Sequence, residues 1–275
     1  MPPTALAATS ARQSRASAIA APLVQLDHVL LVLDAETYDA IGQSEFARTA
    51  LGLERAASPV SADTSPVGHY LYGRHAYVEL FAPHRAVGRA ASAGIAFHVS
   101  ETGASAHVVA RLRHATGAPV DQGVRTRCTD GAEEPWFQWT RVRHHQPLST
   151  LSTWVMEYAD PPSRSARLGT LAAQRSSQHL LHDVSGATIA LDATERLPLL
   201  RELAAYGFRT THCTGRHVVE GAGVRLLITP PEDARRGVIA VRFSLRRAPS
   251  GARQHAFGSR SVLTLHDDLT ATWTL

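Results

Sequence analysis

Apolar and β-branched residues fall into short runs, separated by Gly, Pro and polar turns, and the runs recur in one order. Residues 24–33 read as a buried strand. Asp34 follows as a helix cap, and residues 35–51 carry Ile41, Phe46, Ala50 and Leu51 on one face, with Gly52 as the stop. Three shorter strands are predicted near 53–57, 69–72 and 76–81, with Gly73 at a hairpin turn. The order then repeats. A strand at 95–99 precedes a helix within 103–116, which aligns Val108, Val109 and Leu112 and ends at Gly117 and Pro119. Strands are predicted near 120–127, 136–142 and 153–158.

Pro161-Pro162 and the Ser/Arg stretch behind it read as a linker. The remainder repeats the theme more faintly. A strand at 187–191 leads to a helix capped by Thr194 and running to Tyr206, with Gly207 after it. Strands are predicted near 208–213, 216–219 and 224–228, then 238–245, 261–265 and 271–275 with no clear helix among them. The expected fold is α+β, built of tandem βαβββ modules in curved mixed sheets. The expected division is a disordered leader over 1–22, a paired-module domain over 23–162, a linker over 163–183 and a degenerate module pair over 184–275.

Composition narrows the chemistry. All 28 basic residues are Arg and none is Lys, which excludes a protein-lysine Schiff base and points to a GC-rich bacterial genome. The net charge of +4 is mild and the Arg residues are scattered, so no nucleic-acid partner is expected. No apolar run approaches the ~18 residues of a membrane span. Cys128 and Cys213 stand alone, which fits a reducing, cytoplasmic location. A homodimer is compatible with this composition.

Four of the predicted strands each carry one metal-capable side chain among apolar neighbours: His28, Glu79, His98 and Glu157. Imidazole and carboxylate together hold divalent zinc, nickel, manganese or iron. One such ion is the expected cofactor, with Glu79 and Glu157 also placed to move a proton. Strand alternation puts Leu26, His28, Leu30 and Val32 on one face, and Tyr77, Glu79 and Phe81 on the same face of another strand. Tyr72 and Arg74, on a hairpin, are candidates to touch a small-molecule substrate, as are Trp136 and Trp139. His144 and His145 are adjacent, so in a strand they point to opposite faces.

The run Leu26-Asp27-His28-Val29, the helix end at Leu51-Gly52-Leu53 and the run Val78-Glu79-Leu80-Phe81 resemble one module of the vicinal oxygen chelate superfamily, which includes glyoxalase I and the extradiol dioxygenases. Asp63-Thr64-Ser65, His69-Tyr70-Leu71-Tyr72-Gly73 and Trp154-Val155-Met156-Glu157-Tyr158 resemble a glyoxalase-like bacterial family of unassigned function. The first resemblance implies paired modules enclosing a metal held by His28, Glu79, His98 and Glu157. It implies a lyase or isomerase working through an enolate on a small oxygen-rich substrate, or alternatively an iron-dependent dioxygenase. A non-catalytic protein that binds a small molecule or antibiotic is the third expectation. In the second half Gly186, Ile228 and Arg242 stand where ligands would be, so that half is expected to be scaffold.

Overall fold

The computed structural model describes residues 23–57, 67–83, 92–129, 132–144, 150–162, 164, 168, 170, 179–233 and 235–275. The expected leader, the Asp63-Thr64-Ser65 run, His145 and much of the expected linker lie outside the described residues. Strands β1 (Gln25–Val32), β2 (Glu54–Ala57), β3 (Val67–Tyr72), β4 (Tyr77–Phe81), β5 (Ala93–His98), β6 (Val120–Thr129), β7 (Ala132–Val142) and β8 (Leu151–Tyr158) form one sheet, in the order β2-β3-β4-β1-β5-β8-β7-β6. Helix α1 (Ala35–Gln43) follows β1, and α2 (Ser105–Thr116) follows β5. The second half gives β9 (Leu181–Ala190), α3 (Ala193–Ala205), β10 (Arg209–Cys213), β11 (Arg216–Gly221), β12 (Val224–Thr229), β13 (Gly237–Leu245), β14 (Gln254–Phe257), β15 (Ser261–Leu265) and β16 (Thr270–Thr274). These strands make a second eight-stranded sheet, ordered β10-β11-β12-β9-β13-β16-β15-β14. The protein is thus mixed α/β with two mixed sheets of matching strand order.

Local chemistry sets the helix ends. Asp34 caps α1 by accepting from Thr37 N at 2.9 Å. The single helix expected over 35–51 breaks at Ser44, whose hydroxyl accepts from Ala47 N (3.1 Å) and gives the backbone an alternative to the helical bond. A short π-type turn over Ala47–Leu51 follows and ends at Gly52, where φ is 75°. In α3 the cap is Asp192 rather than Thr194, and Glu195 Oε2 accepts from Asp192 N at 3.3 Å.

Strand direction differs between the halves for one reason. β5 pairs parallel with β8, because α2 carries the chain back before the β6–β8 meander starts. No helix follows β13, so the next strand runs the other way, and β13 pairs antiparallel with β16. The last quarter of the chain therefore cannot present a residue in the way that β8 presents Glu157.

One hydrophobic core runs through both halves, from Val29, Leu31 and Val78 of the first sheet to Ile189, Leu226 and Val241 of the second. Phe97 packs against Tyr206 and Phe208, and Phe46 stacks on His255. Buried Glu202 of α3 accepts from Thr153 Oγ1 and Tyr206 Oη, both at 2.6 Å, and lies 3.0 Å from His144 Nε2. A buried carboxylate is tolerable only with such partners. The face of the first sheet turned away from this core carries the candidate site.

Candidate functional site

The site begins with a β-bulge. The β1–β5 register slips between Leu26 and His28, so one extra residue, Asp27, is accommodated there. Leu26 stays in the core with Val29 and Leu31, while Asp27 and His28, neighbours in sequence, turn to the same outer face. Simple alternation had placed Leu26 with His28; the bulge separates them. His28 Nδ1 donates to Asp27 Oδ1 at 2.8 Å, which in the neutral ring leaves the lone pair on Nε2. Nε2 lies 3.9 Å from Glu79 Oε2. Tyr77 leans on the His28 ring, and Trp154 meets it edge-on. Gly94 makes room for Trp154, whose ring carbons lie 2.6 Å from where a Cβ would stand.

Arg164 closes the site from a helical segment, its backbone N–H bonded to Asp160 O at 3.3 Å. Its Nη2 lies 2.6 Å from Asp27 Oδ2, its Nη1 lies 3.4 Å from His98 Nε2, and its guanidinium carbon is 5.3 Å from the Tyr158 ring centre. Arginine only donates, so His98 Nε2 must be the acceptor and Nδ1 carries the proton toward Asp27 Oδ2, 3.4 Å away. Burial pushes the Asp27 carboxyl up, but Arg164, His28 and His98 outweigh it and hold it well below the usual carboxylate range. Burial lowers His98 to about 4, with Asp27 opposing and Arg164 and His28 adding to the shift. The Tyr77 and Tyr158 phenols are raised well above 10 by burial, reinforced by Glu79 and Asp27 respectively, so both stay neutral donors.

Two cavities open here. The larger, of about 550 Å³, is lined by Tyr70, Tyr72, Tyr77, Glu79, Trp136, Tyr158 and Arg164 among others. It takes side chains from β3 and β7, which have four strands between them, so the sheet curls around it. The smaller, of about 340 Å³, is lined by Gln25, Arg74, His75, His98 and Ser100, and shares Tyr158, Arg164 and Leu168 with the first.

The expected residues separate clearly. His28 and Glu79 come together, and His98 joins them through Asp27. Glu157 does not: its carboxylate lies on the helix side of the sheet, accepting from Gly103 N at 2.6 Å and Ser105 N at 3.0 Å at the start of α2. Burial raises its pKa, and these hydrogen bonds bring it below the ordinary value. Tyr158, one residue on, faces the cavity instead. Tyr72 and Trp136 line the larger cavity and Arg74 the smaller. Trp139 lines neither; it lies across Gly123, with the Arg141 guanidinium 5.7 Å from its ring.

As placed, the residues do not fit the expected four-ligand metal. The His98 lone pair and Asp27 Oδ2 both face Arg164, and Glu157 is held by α2. Among the described residues no group of three or more His, Cys, Asp or Glu side chains is gathered for an ion. Sequence reasoning missed Asp27, Tyr77, Tyr158 and Arg164. The Asp27-His28 adjacency was the available signal, hidden because neighbours in a regular strand face opposite ways; nothing in sequence marked Arg164.

Residues 26–275 match the model of a family of unknown function (DUF5829), and the chain belongs to that family. No curated protein matches it. Among solved structures, a hypothetical protein from Staphylococcus aureus is similar at TM-score 0.58 and 11% identity, over 86% of this chain and 97% of that one. A xylose isomerase-like TIM barrel/4-hydroxyphenylpyruvate dioxygenase fusion protein is similar at TM-score 0.45 and 13% identity, over 82% of this chain and 37% of that one. Among the described residues no helix is long and apolar enough to cross a membrane.

Proposed function

We propose that the first sheet is a pair of βαβββ modules of vicinal-oxygen-chelate type whose pocket binds a small planar molecule without a metal. The observation that carries this reading is the cavity of about 550 Å³, walled by Tyr70, Tyr72, Tyr77, Trp136 and Tyr158, with Glu79 on its wall and His28 behind. Its size suits a small organic ligand. Aromatic walls favour a flat, apolar body, and Glu79 favours an N–H donor or a cationic group on it. The second half acts as scaffold, holding the sheet from its other face. A metal-dependent lyase or isomerase, and an iron-dependent dioxygenase, rank behind this reading because two of their four expected ligands, His98 and Glu157, are turned to Arg164 and to the start of α2.

The test is tryptophan fluorescence and thermal shift against a panel of planar aromatic compounds, with and without an amino group. Binding should survive chelator and fall on Trp136→Ala or Tyr72→Ala. Binding that needs added metal, or that ends in turnover with uptake of oxygen, would replace this reading with one of the other two.

A further inference from the structure

The groups around Arg164 form a cation's surroundings. One carboxylate oxygen, Asp27 Oδ2, lies 2.6 Å from Nη2. One imidazole lone pair, His98 Nε2, lies 3.4 Å from Nη1. The His75 carbonyl oxygen accepts from Nη2 at 3.3 Å, and the Tyr158 ring offers its π face. Oxygen, imidazole nitrogen and carbonyl are also the donor types that hold a divalent ion. The guanidinium stem is nearly enclosed, with the side chain 10% exposed. Its charge is permanent, since guanidinium does not deprotonate in proteins. Pro161 and Pro162 are helical just ahead of Arg164, at the start of the segment, where a fixed φ and a missing N–H cost little.

We infer that Arg164 is the resident cation of this site, standing where Asp27 and His98 would otherwise hold a divalent metal. The guanidinium balances buried Asp27, occupies the lone pair of His98, and forms part of the wall between the two cavities. Unlike a bound ion it cannot be lost to a chelator, so the charge of the site is set by the chain itself. This inference rests on the metal-free part of the proposed function and deepens it; metal gained by Arg164 variants tests the inference alone, whereas ligand binding that needs added metal tests the proposed function.

The experiment uses the full chain, stripped with chelator and titrated with Co(II) or Zn(II). Wild type should take up no stoichiometric metal. Arg164→Ala should take up one ion per chain, with the visible absorption of a nitrogen- and oxygen-ligated Co(II), and affinity should fall by roughly tenfold or more when His98→Ala is added. Free guanidinium should compete with the metal in Arg164→Ala. Arg164→Met, which keeps the apolar stem, serves if the alanine variant does not fold. In wild type, the ring nitrogens of His98 followed by NMR give a reading that needs no variant; they should not move on adding Zn(II). The inference is overturned if wild type holds a metal that His98→Ala releases, if its His98 resonances shift with Zn(II), or if the Arg164 variants that fold bind no more metal than wild type.

Discussion

Asp183, at the start of the second sheet, grips His75 at the tip of a hairpin in the first. Its Oδ2 lies 2.7 Å from His75 Nδ1, and its Oδ1 accepts from Ala76 N at 3.1 Å. The backbone joins in, with Arg74 N bonded to His182 O at 2.9 Å. This hairpin joins β3 to β4, and its strands carry Tyr72, Tyr77 and Glu79. The wall of the larger cavity is therefore pinned from the other half of the chain. Asp183→Ala removes an acceptor from hairpin N–H groups and should cost about 1–3 kcal/mol. Urea denaturation measures the loss, and hydrogen exchange should rise at residues 75 and 76 while the β9 amides beyond Val184, whose N–H also donates to Asp183 Oδ1, stay protected.

Glu157 stabilises the α2 start rather than the cavity. Glu157→Ala should cost about 0.5–2 kcal/mol of folding stability and leave ligand binding unchanged. Its folded pKa lies below the ordinary value. The stability it contributes is thus complete above the ordinary carboxylate range and is lost as pH falls through the lowered value. Glu157→Gln should flatten acid unfolding in that window. A large loss of ligand binding with normal stability would move Glu157 back into the site.

His98 should titrate at about 4 rather than the ordinary 6.5, because burial disfavours its charged form. Between these values the unfolded chain holds the extra proton. Stability from the neutral ring is then full above about 6.5 and declines as pH drops toward about 4. NMR titration of the ring gives the midpoint directly. His98→Asn should remove this part of the pH slope, whereas an unchanged slope would mean that another group produces it.

Gly186 is where the second half lacks a counterpart to His28, and the reason is space. It sits in β9 between Arg225 of β12 and Arg242 of β13, and a Cβ there would run into the Arg225 carbonyl oxygen. Backbone atoms cannot swing aside as a flexible side chain can. Gly186→Ala should cost about 3 kcal/mol or more, read as a fall in the denaturation midpoint. A neutral effect would mean that β9 and β12 shift apart readily.

The periodic elements were legible because apolar runs and Gly or Asp punctuation sit where the backbone needs them. Gly52 and Gly117 end the turn and helix they follow, at φ of 75° and 64°. β9 begins at Leu181, earlier than its apolar run suggests, because polar His182, Asp183 and Ser185 stand at its half-buried positions. β14 escaped notice for a related reason: Gln254-His255-Ala256-Phe257 has one buried apolar residue. At the site, His28 and Glu79 were found from their strands. The bulge at Asp27 was not, since one inserted residue leaves no compositional trace yet reverses which neighbours share a face. Glu157 was placed one residue out of phase with the cavity. Its apolar surroundings looked like those of Glu79, but the β8 pleat gives the cavity to Tyr158. Arg164 became visible only when a remote helical segment was folded onto Asp27.

The missing helix after β13 makes the two halves of this chain non-interchangeable. α2 meets α3 across the seam, with Arg111 Nη2 reaching Ala204 O at 3.3 Å. Among the described residues α1 and the turn after it meet no helix there: Phe46 stacks on His255 of β14, and Glu36 accepts from Ser259 N and Oγ, both at 2.8 Å, in the turn after that strand. The first half thus offers two helices, and the second receives one with a helix and the other with a bare strand. Doubling the first half would bring a helix to a seat shaped for a strand, and doubling the second would bring a strand to a seat shaped for a helix. The two halves are therefore a matched pair, each shaped to receive the other and not a copy of itself.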